Sequence, residues 1–595
     1  MPISFHVISI VLGKPSSSEF CQDRLFNSSF MKLRFLPAIC ICLVIFNYIL
    51  YNHYYSVNFP YQDDFLLIQF IEAVAEGEIG FKDLVTELFR TFNDHKAVVP
   101  RLIALIQYKL IGCLNFRFYI ALVSLNVTYI FYFIYLQYRK TKLPLYYFIP
   151  AAFLYFQPLY YEISGWALTG MQHSFLTAFT ATAVILASQR TNMTLFGAML
   201  CCLLATFTHG NGILSFPAII VYFLIFKDIK PAIISGAFMV LCLVIYLAGY
   251  ESGQAVQLPK NLTLFFQSLF GLIGSSMSLW AFPLFSSFVW GAIIVCFLLY
   301  VMWQAIGFHF NKLTKIRPGT AELLALFVFI LLTSSVIALF RSWAGSTLAS
   351  RFQIYASLST VIFYVLLLQY TRLFRRQTVF YTVTLLSVFY CLYSYYKFTG
   401  IVANRRTTYL ADVYNWKHNR NMLSVEETIT KNGAFYLNPG YEKGFFKLPD
   451  AIVERYQLDS MFRAPVKTGL NNQLYVEDWR VERAVRNGVE KLTYSYVASN
   501  AFPQRKPLSV DRFLILKNRD TGVFHLACAN PKVEARKQIL TAGHYFKPGF
   551  NTLFRQDDLT TGTYDLGVLD VANNGQKTFY RLDKSLIADK GYTLQ

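Results

Sequence analysis

The chain has 595 residues, of which 55% are hydrophobic and 17% aromatic, and it carries a formal net charge of +20. Its mean hydropathy of +0.39 excludes an ordinary soluble globular protein. The positive charge is not a nucleic-acid footprint, because much of it falls in short segments between apolar runs, where cytoplasmic loops collect Lys and Arg.

Apolar runs of about 17–25 residues recur through the first part of the chain, each long enough to cross a bilayer. From about residue 400 they stop, and residues 401–595 read as a soluble domain rich in Asn, Asp, Lys and Arg. The expected fold class is a mainly α membrane protein, a polytopic helical bundle with a C-terminal soluble α/β or β-sandwich domain. Ten cysteines with no CxxC pair offer neither a disulfide framework nor a zinc ligand set.

In chain order, residues 1–30 hold only a short apolar stretch, 3–13, too short to span. Met31-Lys32-Leu33-Arg34 then opens a proper apolar run. We read Met31 as the biological start and residues 1–30 as an extension without a fold of its own. Lys32 and Arg34 place the N-terminus in the cytoplasm.

The first run ends in Phe59-Pro60-Tyr61-Gln62-Asp63-Asp64-Phe65. Two adjacent carboxylates where a chain leaves the bilayer are costly unless they have a task. Segments 65–75 and 81–92 carry apolar residues at helical spacing, as helices lying on a membrane surface do. Asn93-Asp94-His95-Lys96 and Pro100-Arg101 follow. Segment 97–113 is expected as an interfacial helix, because counting it as a span would put the cations at 139–142 outside.

About eleven spans are expected, at 33–51, 117–137, 143–161, 172–188, 194–209, 212–226, 231–249, 285–306, 320–340, 353–371 and 378–398. Cation-rich loops at 139–142, 189–192, 227–230, 309–317 and 371–376 then all face inward. The same count gathers Asp63, Asp64, Asp94, His95, Arg101, Glu162, His173, His209, Arg341 and Arg351 on the outer side, and places residues 401–595 there too. Alternating runs at 513–516, 522–526, 562–568 and 577–580 predict strands of a small β-sandwich.

An acidic pair after the first span, surface helices, a polar-Pro-Arg segment, many spans and an external domain resemble the GT-C superfamily of integral-membrane glycosyltransferases. Those enzymes use sugars linked to polyprenyl phosphate. The resemblance implies that Asp63 or Asp64, with Asp64 slightly favoured, takes the acceptor proton. It implies that Arg351, with Arg341 in support, holds the lipid phosphate. Arg101, His95, Asp94, Glu162, His173 and His209 are further candidate substrate contacts.

The implied partners are a polyprenyl-phosphate-linked sugar donor, a glycan or lipid-linked acceptor such as O-antigen or capsule, and membrane lipid. The implied location is the inner membrane, with the C-terminal domain periplasmic. No cofactor is expected. A divalent metal on Asp63, Asp64 and Asp94 is compatible with the family, but no His/carboxylate spacing calls for it.

Structural roles compete at each position: a helix cap for Asp64, snorkelling for the arginines, and a tight turn for His209-Gly210-Asn211-Gly212. Two other functions compete as well, a transporter or flippase of lipid-linked sugars and a non-catalytic envelope-assembly protein. The lack of matched Gly/Pro-broken helices speaks against transport.

Overall fold

The computed structural model describes residues 35–75, 80–91, 95–250, 258–311, 316–341, 346–424, 435, 437–465, 474–485, 488–500, 502–505, 510–533, 546–555, 559–588 and 592–594. The extension 1–30 and Asp94 lie outside the described residues.

Helix α1 (Leu36–Tyr55) is followed by three short helices, α2 (Phe65–Ala75), α3 (Phe81–Phe89) and α4 (Val98–Ile111), and then by the long α5 (Phe116–Arg139). Next come α6 (Ile149–Tyr155), α7 (Tyr161–Gly165), α8 (Ala167–Ser188), α9 (Asn192–Thr206), α10 (Ser215–Ile225), α11 (Ile229–Leu247) and α12 (Leu262–Ile273). Helices α13 (Pro283–Asn311), α14 (Thr320–Arg341), α15 (Gln353–Tyr370) and α16 (Gln377–Asn419) complete the bundle, and α17 (Arg455–Phe462) sits with the C-terminal sheets.

Among the described residues, seven helices are long and apolar enough to cross a membrane: α1, α5, α11, α13, α14, α15 and α16. Leu43 and Phe46 of α1, Val244 of α11, Trp303 of α13 and Leu385 of α16 are exposed. Such a belt of large apolar side chains is compatible with a lipid surround. Helix α15, by contrast, is buried along almost its whole length.

Four expected spans differ from that set. Segment 143–161 is not one helix, because Pro144, Pro150 and Pro158 divide it into two 3-10 turns and the short α6. Segment 172–188 lies in α8, where Gln172 and His173 hold the hydropathy down. Segments 194–209 and 212–226 fall in helices of only 15 and 11 residues. The 14 residues of α4 span about 21 Å, less than a hydrocarbon core of about 30 Å.

Two glycines let α12 and α13 touch backbone to backbone. A Cβ added at Gly274 would stand 2.0 Å from the Ser287 carbonyl, and one at Gly291 would stand 1.9 Å from that of Phe270. Small residues at a helix contact permit this approach.

The C-terminal part contains β1 (Leu474–Val485), β2 (Gly488–Ser499), β3 (Val510–Asn518), β4 (Phe524–Cys528), β5 (Asn530–Val533), β6 (Phe546–Arg555), β7 (Gly562–Ala572), β8 (Lys577–Ala588) and β9 (Tyr592–Leu594). They form a four-stranded sheet, β1-β2-β6-β5, and a five-stranded sheet, β4-β3-β7-β8-β9, with neighbours antiparallel. Side chains alternate across a strand. Leu514, Leu516 and Val568 therefore share a core with Val497, Phe550 and Phe554 of the other sheet. Their neighbours Phe513, Ile515 and Leu569 pack instead on Ala411 and Tyr414 of α16 and Leu458 and Phe462 of α17.

The domain boundary expected near residue 400 falls inside α16, a single helix of 43 residues, about 65 Å long. No breaker interrupts Asn404-Arg405-Arg406-Thr407, and the sheet replaces the bundle as the surface that buries the helix. Asp511 of β3 locks the two together. It accepts hydrogen bonds from Arg406 Nη1 at 2.6 Å and Thr407 Oγ1 at 2.6 Å, and the buried Arg505 lies 3.9 Å away.

Asp511→Ala leaves those cations without their counter-charge, and breaking a buried pair from one side costs about 3–5 kcal/mol. We expect a clear drop in the thermal midpoint, with the β-domain cut first by added protease. An unchanged midpoint would mean that α16 is held elsewhere.

Candidate functional site

Asp63 and Asp64 lie in a 3-10 turn, Gln62–Asp64, that joins the end of α1 to α2. Gln62 has φ 43°, a left-handed conformation uncommon for a residue with a side chain. Asp64 Oδ2 accepts the Tyr61 backbone N–H at 3.0 Å, and Oδ1 accepts that of Leu168 at 2.7 Å. Leu168 is in the first turn of α8, where free N–H groups and the helix dipole favour an anion.

Asp64 is 1% exposed. Burial pushes its carboxyl up to about 7 against the opposing pull of the two N–H bonds, and the neighbouring Asp63 charge adds to the rise.

Asp64 lines a narrow cleft of about 30 Å³ together with Tyr55, Tyr161, Ser164, Arg405 and Tyr409. Arg405 comes from α16. Its guanidinium lies 4.8 Å from the Tyr61 ring centre, 5.2 Å from that of Tyr161 and 4.0 Å from the Glu162 carboxylate. Its Nη1 and the Tyr55 hydroxyl are buried with no hydrogen-bond partner.

Arg405 was not among the sequence-derived candidates, because it follows the last apolar run in a stretch read as soluble. The one available sign was the unbroken helical composition through Arg405-Arg406.

Glu162 stands between this cleft and a second cluster. Its Oε2 accepts the Arg351 backbone N–H at 2.9 Å, and its own N–H donates to Ser350 Oγ at 3.3 Å. The Arg351 guanidinium sits 5.3 Å from the Phe352 ring centre, with no acidic side chain paired to it among the described residues.

Three histidines far apart in the sequence meet in the second cluster. The His95 and His209 ring centres are 3.8 Å apart, and those of His173 and His209 are 5.1 Å apart. His173 Nδ1 bonds the Tyr355 hydroxyl at 2.8 Å, and His209 Nδ1 accepts the Asn211 N–H at 3.2 Å, which keeps that nitrogen unprotonated. Arg351 is close enough to His173, and Arg341 to His209, to act on them electrostatically. His173 is about 7.5 Å along α8 from Leu168, so one helix carries the Asp64 anchor and part of the histidine cluster.

Arg101 stands apart. Its Nη1 donates to the carbonyls of Leu88 at 3.0 Å and Arg90 at 2.6 Å, tying the end of α3 to α4. No group of three or more His, Cys, Asp or Glu among the described residues is arranged to hold a metal ion.

These features define a mainly helical chain with, among the described residues, seven candidate membrane-crossing helices, a polar site in two parts and a C-terminal pair of β-sheets. No protein-family model matches the chain, and neither a curated protein nor a solved structure matches it.

Proposed function

We propose that the protein is a GT-C-type glycosyltransferase that moves a sugar from a polyprenyl-phosphate-linked donor to a cell-envelope glycan, on the outer face of the inner membrane. One observation carries this reading: a buried carboxylate, Asp64, shares a cleft with Arg405, whose buried Nη1 has no partner. A carboxylate poised near neutrality suits proton abstraction. A guanidinium in a dry site suits the charge that gathers on a departing phosphate.

In the transfer, Asp64 takes the acceptor hydroxyl proton and the acceptor oxygen attacks the anomeric carbon. The bond from that carbon to the lipid phosphate breaks, and the phosphate leaves with its new charge beside Arg405. Arg351 and the histidine cluster lie beyond Glu162 and extend the polar surface for the rest of the donor. A cleft of about 30 Å³ has room for a water but not for a sugar. Binding therefore needs the walls of the cleft to move apart.

The test is complementation of a deletion strain, reading envelope glycans by mass spectrometry. The wild-type chain should restore a glycan heavier by one sugar residue, and the Asp63→Ala/Asp64→Ala double variant, present at equal amounts in the membrane, should not. Identical glycan masses with and without the protein would sink the transferase reading.

A further inference from the structure

One wall of the Asp64 cleft is also a seam at the surface of the bundle, between α1 and α16. Tyr51 of α1 lines the cleft, and its hydroxyl donates to Thr399 Oγ1 of α16 at 3.4 Å. Its ring centre lies 5.0 Å from that of Tyr395. Asn47, one turn earlier, lies beside the Tyr395 hydroxyl. Tyr54 has the Arg406 guanidinium 5.0 Å from its ring centre, and its hydroxyl donates to Asn573 Oδ1 in the β7–β8 turn at 2.5 Å. Positions 47, 51 and 54 share one side of a helix, so these contacts form a single line. Asn47 and Tyr54 are exposed, and Tyr51, Tyr395 and Thr399 are half-buried.

The rungs of this seam are weak, each hydrogen bond being worth about a factor of five in an equilibrium. The flanking anchors are buried. Tyr48 and Asn52 tie α1 to Ser164 and Ser124 on its other side, and Ser394 ties the lower part of α16 to Gln157. Asp511 ties the part above to the β-domain. Between these two anchors of α16 stands Gly400, and glycine weakens a helix interior. A Cβ at Gly400 would make only ordinary contact with Phe546, at 3.6 Å, so packing does not demand glycine there. Val402, Arg405 and Tyr409, which line the cleft, all lie beyond it.

Both helices are candidate membrane-crossing helices, and Leu50 beside Tyr51 and Leu392 one turn before Tyr395 are exposed. Hydrocarbon, not water, suits that surface. We propose that the seam is a lateral gate. Helix α16 bends at Gly400, the two helices part, and an amphiphile of the membrane passes its polar head into the Asp64 cleft. The β7–β8 turn, through Asn573 on Tyr54, is the latch. That the amphiphile is a lipid-linked sugar rests on the transferase reading, but the gate itself does not.

The experiment places a reporter thiol in the cleft wall by Gly165→Cys, where an added Cβ meets nothing within 4 Å. The full chain in lipid nanodiscs is treated with N-phenylmaleimide, which enters the bilayer, or with the charged 2-(trimethylammonio)ethyl methanethiosulfonate, which does not. Labelling at residue 165 is read by peptide mass spectrometry, each rate normalised to that with glutathione. Tyr54→Phe and Asn573→Ala touch the latch but not the cleft lining, and each should speed labelling by the maleimide about fivefold, since labelling follows the open population. Gly400→Ala should slow it about threefold. The charged reagent should label more slowly throughout.

Unchanged rates in both latch variants, no labelling in any variant, or faster labelling by the charged reagent would each overturn the gate. Equal acceleration by Arg519→Gln, which loosens the β-domain at its pair with Asp565, would overturn the latch. An unchanged rate with Gly400→Ala would overturn the hinge. Labelling needs no sugar donor, so gating without transfer activity would overturn the transferase reading alone, and transfer with labelling unaltered by the variants would overturn the gate alone.

Discussion

Asp64→Asn is expected to slow sugar transfer by about 10²–10⁴-fold, the usual loss when a general base is removed. An ordinary helix cap tolerates this change because a cap accepts through one oxygen. Asp64 accepts backbone N–H groups through both. Whichever way the amide turns, its NH₂ meets the N–H of Tyr61 or Leu168, so a loss of about 1–3 kcal/mol in stability comes with the substitution.

The pH dependence separates the two effects. In the folded chain the Asp64 carboxyl is raised from 3.8 to about 7 by burial, so the folded state holds its proton more tightly than the unfolded one. Its contribution to stability is complete below pH ~4 and is lost as pH rises through about 7, a change on the order of 4 kcal/mol. The wild-type midpoint should therefore fall relative to that of Asp64→Asn across this window. Transfer should rise over the same window and level off above it, because the base acts when ionised. A variant with a near wild-type rate would remove Asp64 as the base and leave the half-buried Asp63 as the residue to test.

Arg405→Gln and Arg405→Lys are both expected to weaken binding of undecaprenyl phosphate by about a hundredfold, the worth of two charge-assisted hydrogen bonds. Lysine should not rescue. A planar guanidinium can lie over the Tyr61 and Tyr161 rings and still present a two-pronged donor, whereas an ammonium cannot.

The readout is the thermal shift of the full chain in nanodiscs on adding the lipid phosphate, with undecaprenol as the uncharged control. Arg406→Gln tests specificity, since Arg406 pairs with Asp511 and should affect stability but not lipid binding. Equal shifts for undecaprenyl phosphate and undecaprenol would rule out a phosphate site at Arg405.

Much of the architecture was legible in the residues. The apolar runs at α1, α5, α11 and α13 to α16 needed only length and composition, because a helix satisfies its own backbone wherever it sits. The strands β3, β4, β7 and β8 were marked by alternation between turn residues, since a two-residue period is fixed by strand geometry alone. The acidic turn at Gln62–Asp64 was visible as charge in the wrong place for an apolar chain.

What pairs with that turn was not visible. Asp64 meets Leu168 and shares a cleft with Arg405, and His209 meets His95 and His173, through helices whose order in space no local period records. The continuity of α16 past residue 400 depended on a sheet arriving to bury its polar half. The break at 143–161 came from prolines whose effect on a long apolar run depends on whether neighbours can satisfy the freed backbone groups. Sequence periodicity reports which face of an element is apolar. Which charged groups come to share one dry cleft is decided by packing, because a buried carboxylate and a buried guanidinium are stabilised only by the particular partners the tertiary structure brings within a few ångströms.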